Sequence, residues 1–231
     1  IPKYQWKSFV LGGNSIGGYS SMAVAANDSA TGKHVSSSGT TGTGRCNGLV
    51  LMNAAGPVKT PDEVSAEQLR SVAYDTSTDS LPLCKPPPRP LSRAFGNGLL
   101  VYLRPQIQSI CKSLYPTNPD AVDSALCADI KRDSFDPGAI HVMMSGAKLP
   151  PPRTANELLS ADFGGPEPGE SSFDGPVLVA QGVLDPLNDS RDRMNRFGAL
   201  RDNITMDPIE AGHCPHDELP EQVAESIQRW I

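Results

Sequence analysis

Ser8-Phe9-Val10-Leu11-Gly12-Gly13-Asn14-Ser15-Ile16-Gly17-Gly18-Tyr19 is the stretch that decides the fold. A short apolar run stops at paired glycines, and Ser15 to Ala26 continues as a helix rich in small and apolar residues, so the stretch reads strand, tight turn, helix. Within it, Gly13-Asn14-Ser15-Ile16-Gly17 matches the G-x-S-x-G nucleophile elbow, at the strand-to-helix junction where that motif belongs. The glycines on either side of Ser15 are expected to clear a turn sharp enough to lift Oγ above the sheet. The following amide, that of Ile16, then faces a developing oxyanion, helped by the positive end of the helix. A plain turn with Ser as helix cap gives the same five letters, so the assignment rests on the remainder of the chain.

Outward from the elbow, residues 28–45 are mostly Ser, Thr and Gly, a composition too polar to offset chain entropy, and they are expected to form a disordered insertion. Gly48-Leu49-Val50-Leu51-Met52-Asn53 is a continuous apolar run ending at a turn-like Ala54-Ala55-Gly56-Pro57, which predicts a strand buried on both faces. From 57 to 173 the pattern loosens, with Pro86-Pro87-Pro88 and Pro150-Pro151-Pro152 as breaks and helical stretches at Leu99 to Leu114 and Ala121 to Lys131. That span is too long for an ordinary loop and reads as a mostly helical cap. The α/β rhythm then returns in residues 174–231: a strand at Pro176 to Gly182, a helix from Asp189, a weaker strand at Asn203 to Ile209 and a terminal helix carrying Val223, Ile227 and Trp230. Residues 1–56 and 174–231 thus form the core of an α/β fold with a mainly parallel sheet and function at the carboxyl ends of its strands.

Two of those strand ends carry the partners that a serine nucleophile needs. Asp185 follows the strand ending at Gly182, and His213 follows the last strand in Ala211-Gly212-His213-Cys214-Pro215. Ser, Asp, His is the chain order of this class. Ser15 is a poor nucleophile until a base accepts its proton, which His213 can do near neutral pH, while Asp185 orients the imidazole. Asp189 is the rival acid, with Asp185 then capping the helix. His216 is the rival base, with local hydrogen bonding to Asp217 or Glu218 as its other role. His34 falls in the polar insertion and His141 in the cap.

A net charge of −6 and a pI near 5.2 argue against nucleic acid as partner. No apolar run is long enough to cross a bilayer. Cys46, Cys84, Cys111, Cys127 and Cys214 are dispersed without metal-ligand spacing, which points to reduced thiols and to no metal; nothing calls for a cofactor. Leu99, Leu100, Val101, Val142, Met143 and Met144 are available to line a pocket or meet a membrane surface peripherally, although their spacing suits ordinary core packing.

Gly13 to Tyr19, Leu51 to Gly56, Asp136-Pro137-Gly138-Ala139 and Gly212-His213-Cys214-Pro215-His216-Asp217-Glu218-Leu219-Pro220 together resemble the α/β-hydrolase superfamily and, within it, its plant and algal pheophytinase-like, or chlorophyll dephytylase-like, branch. The resemblance implies a chloroplast hydrolase that releases phytol from a pheophytin-type or chlorophyll ester, a small-molecule apolar substrate. A lipid ester or thioester hydrolase of the same fold is the alternative, and a non-catalytic α/β-hydrolase-like binding module is the alternative from another class. A complete member has further strands before the elbow and an early loop with the second oxyanion donor. The chain is therefore expected to be a C-terminal fragment, a half-sheet with one open edge, inactive by itself.

Overall fold

A computed structural model describes residues 8–31, 45–60, 63, 90–145, 153–160 and 172–231. In chain order the elements are β1 (Ser8–Asn14), α1 (Ile16–Thr31), β2 (Arg45–Met52), α2 (Pro90–Leu103), α3 (Ile107–Ser113), α4 (Ser124–Asp133), α5 (Ala139–Ser145), α6 (Ala155–Leu159), β3 (Val177–Gly182), α7 (Ser190–Gly198), β4 (Ile204–Ile209), α8 (Pro215–Glu218) and α9 (Pro220–Trp230). They fall into two compact units, one of Ile1–Tyr74 with Arg153–Ile231 and one of Asp75–Pro152.

The first unit is built on a four-stranded sheet in the order β1-β2-β3-β4, parallel throughout. Because side chains alternate along a strand, each inner strand is apolar on both sides. Leu49 and Leu51 of β2 and Val177 and Val179 of β3 join Met22, Ala25 and Ala26 of α1 and Phe197 of α7 in the larger core. The alternate residues Met52 and Ala180 join Val223 and Ile227 of α9 in a second cluster. Burying each Val, Leu or Phe of this kind contributes about 1.5–3 kcal/mol. Helices thus cover both faces of β3, whose six residues are all buried. β1 differs: its residues alternate between exposed and half-buried, Val10 is 44% exposed, and among the described residues its only strand partner is β2.

Several boundaries depart from the sequence reading. β1 runs through Gly12 and Gly13 to Asn14 and delivers Ser15 directly from an extended strand. α1 continues to Thr31 and β2 begins at Arg45, so regular structure occupies both ends of the expected 28–45 insertion; adding a turn to an existing helix costs far less than starting one. Residues 32–44, with His34, lie outside the described residues, as do both proline triplets and Cys84. The helical unit is also narrower than 57–173. All five residues of α6 are buried, with Leu158 and Leu159 in the larger core, and Thr154 caps the helix reciprocally with Glu157. Phe173 is buried in the same core and its N–H bonds Leu158 O at 2.8 Å. The two ends of the excursion are also tied together: Ala155 N donates to Pro57 O at 2.9 Å, and the Asn156 amide pairs with both backbone groups of Lys59, at 2.8 and 2.9 Å.

The second unit is helical in its described part, α2 to α5. Pro105, which lacks an N–H, falls in the 3-10 turn Arg104–Gln106 where α2 gives way to α3. The expected start signal Asn118-Pro119-Asp120 forms a 3-10 turn, and the cap of α4 is Asp123, whose carboxylate accepts from Leu126 N at 2.7 Å. Asp136-Pro137-Gly138-Ala139 is the turn into α5, closed by Gly138 N on Asp136 Oδ1 at 2.6 Å. Arg104 lies 3.8 Å above the Phe135 ring and donates to Ser134 Oγ and Ser134 O. Leu100, Leu103, Ile107, Ile110 and Ile130 line an apolar recess of about 220 Å³. Of the cap residues expected to pack in a core, only Leu100 is fully buried among those described. Val101 and Val142 are exposed at 62% and 73%, as is Met143, because these positions face outward on short helices.

Candidate active site

Ser15 occupies the turn between β1 and α1 with φ of 52°, the left-handed region that a non-glycine residue enters at a cost. The turn is held from β2: Ser15 N donates to Met52 O at 3.0 Å, and Ser15 O accepts from both Tyr19 N and Ala55 N. The glycine requirement differs from the one expected. A side chain at Gly13 would collide with the Gly17-Gly18 backbone, and one at Gly18 would press on Ala54, whereas a side chain at Gly17 would meet nothing within 4 Å. Steric need therefore falls on Gly13 and Gly18. The Ile16 side chain is exposed, and its N–H, in the first turn of α1, has no intrahelical acceptor by position.

Asp185 and His213 are brought together, with His213 Nδ1 at 2.8 Å from Asp185 Oδ2. The carboxyl side chain is wholly buried and the imidazole nearly so. Burial pushes the Asp185 carboxyl up, but hydrogen bonds from His213, the Leu187 N–H and Asn188, with the field of His213, outweigh it and hold the group below the usual carboxylate range. Asp185 is therefore an ionised acceptor, so the bridging proton belongs to His213 Nδ1. The neutral ring is then left with its lone pair on Nε2, the nitrogen free to act as a base. Asn188 Nδ2 and Leu187 N complete the acid loop at 2.8 and 2.9 Å.

The rivals have other work. Asp189 is the N-cap of α7, its Oδ1 accepting from Asp192 N at 3.0 Å. His216 is exposed on α8, and His141 is exposed on α5 of the other unit. Glu218, read as a partner for His216, instead turns inward and accepts from Gly212 N at 3.1 Å. Among the described residues, Ser15 Oγ makes no hydrogen bond to His213; such bonds are commonly long without substrate and tighten in the reacting complex. The two residues are tied one step away, since Asn14 Nδ2 donates to His213 O at 2.7 Å and to Met52 O at 3.2 Å.

Sequence reasoning missed these asparagines. In the sequence Asn14 stands only as a variable position of the elbow motif, and Asn53 only as the end of an apolar run. Asn53 is 1% exposed at φ 43°, with Nδ2 at 3.1 Å from Asp185 Oδ2 and 2.8 Å from Gly212 O, and Oδ1 at 2.6 Å from Gly182 N. A polar residue closing an apolar strand, of a type that tolerates left-handed backbone, was the available signal. Arg193 of α7 secures the turn after Asn53 by donating to Ala54 O and Gly56 O.

Among the described residues no cluster of His, Cys, Asp or Glu could hold a metal ion, no disulfide forms, and no helix is long and apolar enough to cross a membrane.

No family model and no curated protein sequence matches the chain. Solved structures do. A thermophilic esterase from Thermogutta terrifontis matches 97% of this chain and 64% of its own, at 17% identity and a TM-score of 0.51. A serine hydrolase involved in carbazole degradation matches 99% of this chain and 65% of its own, at 19% identity and a TM-score of 0.51. The epoxide hydrolase CorEH matches 97% and 68%, at 12% identity and a TM-score of 0.52. The chain spans just under two-thirds of the length of the esterase and the serine hydrolase. With the parallel sheet and the strand-turn-helix at Ser15, these likenesses establish an α/β-hydrolase fold, present here in part.

Proposed function

We propose that this chain carries the reacting groups of a carboxylic-ester hydrolase working through an acyl-enzyme. The observation that carries the reading is the 2.8 Å contact of His213 Nδ1 with an ionised, buried Asp185, on strand ends of the sheet that presents Ser15. Ser15 Oγ attacks the ester carbonyl as His213 Nε2 takes its proton; His213 then protonates the departing alcohol. The Ile16 N–H stabilises the oxyanion, and a water activated by the same imidazole hydrolyses the acyl-serine. Asp185 stays ionised throughout and stabilises the imidazolium. Serine at the elbow favours acyl transfer over the carbon-centred displacement that an aspartate nucleophile performs.

The finer substrate reading is a long-chain apolar ester, such as the phytyl ester of a chlorophyll derivative handled in a plastid. Its support is the likeness of Gly212 to Pro220 and Leu51 to Gly56 to the pheophytinase-like branch. Comparing hydrolysis of pheophytin, chlorophyll, acylglycerol and acyl-thioester substrates separates this from the lipid-ester and thioester readings.

A fluorophosphonate probe applied to the full-length protein that carries this chain should label Ser15, and Ser15→Ala in it should abolish labelling and reduce turnover by roughly 10⁴-fold or more. A folded protein that takes up no probe and turns over no ester would be a binding module instead.

A further inference from the structure

The nucleophile, acid and base stand at the ends of β1, β3 and β4. β2, which lies between β1 and β3, is followed directly by Asn53 and supplies none of the three. Every polar bond of the Asn53 side chain nevertheless reaches the acid or base loop. One amide hydrogen goes to Asp185 Oδ2, the oxygen that also faces His213 Nδ1, and the other goes to Gly212 O, the carbonyl just before His213. The amide oxygen accepts from Gly182 N, where β3 passes into the acid loop.

The chemistry of the partners fixes which way the amide points. Asp185 Oδ2 and Gly212 O can only accept, and Gly182 N can only donate, so a flipped amide would set oxygen against oxygen twice and nitrogen against an N–H once. An aspartate in this place has no donor for the two acceptors, and an alanine is strained at φ 43°. There is also no slack for a longer spacer, because a side chain added at Gly182 would overlap Gly212 O.

We propose that Asn53 is a positioning residue of the site: it sets the spacing of the acid and base loops and keeps Asp185 Oδ2 on His213 Nδ1. This rests on the hydrolase reading above for its meaning in catalysis. It acts through Asp185 and the His213 loop, with no part for its own atoms in bond making or breaking.

The test uses Asn53→Gly, which removes the amide without strain at positive φ, and Asn53→Asp, which keeps the shape and the acceptor for Gly182 N but loses both donors. With both variants made in the full-length protein that carries this chain and a p-nitrophenyl ester as substrate, kcat should fall about 100-fold in each, with KM within about threefold, as for a small misplacement of a catalytic group. The acid limb of kcat/KM should move in opposite directions by about one pH unit. It moves down in Asn53→Gly, whose imidazolium loses its fixed carboxylate, and up in Asn53→Asp, where an added anion favours the imidazolium. The far-downfield proton resonance of His213 Nδ1 should broaden or vanish in Asn53→Gly. That resonance needs no turnover, so it decides the role of Asn53 even if the fluorophosphonate test fails and the hydrolase reading falls with it. Folded variants with wild-type kcat, or with reduced kcat but an unmoved acid limb and an intact Nδ1 proton, would overturn the proposal. Failure of both variants to fold would assign Asn53 to the core and overturn it equally.

Discussion

All six residues of β3 in the sheet-bearing unit are buried, whereas α3 and α4 of the helical unit contain no buried residue at all. The contrast extends to polar groups. In the first unit, Asn53, Asp185 and Glu218 are buried and bonded to loop backbone or to one another. In the second, the large apolar side chains Phe95, Val101, Tyr102, Phe135 and Val142 are at least 60% exposed. One unit spends its interior on holding charges and carbonyls in register, which a reaction requires. The other leaves large apolar side chains exposed among its described residues. Every group with a part in the proposed chemistry belongs to the first.

The strongest way to break the comparison is to push the strand ends apart. Gly182→Ala sets a methyl group against Gly212 O and should destabilise the first unit by roughly 3 kcal/mol, with loss of Ser15 labelling. Hydrogen exchange should show the protection of α2 to α4 unchanged; a parallel loss there would mean that the units unfold as one. Acid gives a gentler separation. Asp185 has a folded pKa below its ordinary 3.8, so its contribution to stability is complete above that value and drains away as pH falls through the lower folded pKa. Protection of β3 and β4 should therefore decline below about pH 4, and the decline should be smaller in Asp185→Asn. The smallest effect lies on the other side. Arg104→Ala removes the stack on Phe135 and both bonds to Ser134, and should cost the helical unit about 1 kcal/mol by chemical denaturation with no change in probe labelling of Ser15.

The parts legible in the sequence are those where one residue type answers to one local demand. Gly13-Asn14-Ser15 announces the elbow because the strand stops and a small-residue helix starts, and Asp185 and His213 announce themselves by following apolar strands. Closeness to the strand is what separates Asp185 from Asp189 in the sequence; in the structure Asp185 faces His213 and Asp189 caps α7. Asn53, Asn14 and Glu218 were not legible in their roles. Their partners lie from 6 to 200 positions away and are mostly backbone atoms, which leave no mark on composition. The extent of the helical unit was misread for a related reason. α6 and Phe173 look like part of a long irregular stretch until the core receives them.

The bonds joining Pro57 and Lys59 to Ala155 and Asn156 give this architecture a seam. Whatever the chain does between those points, it leaves and rejoins the sheet-bearing unit at one spot, so the core feels the excursion mainly as a closed ring whose closure entropy grows only slowly with length. A lineage can then exchange, shorten or lengthen the helical segment without rebuilding the loops that carry Ser15, Asp185 and His213. The same seam is a splice site for a protein engineer, who could replace the segment between Lys59 and Thr154 by a short turn and ask what the sheet-bearing unit does without the helical one.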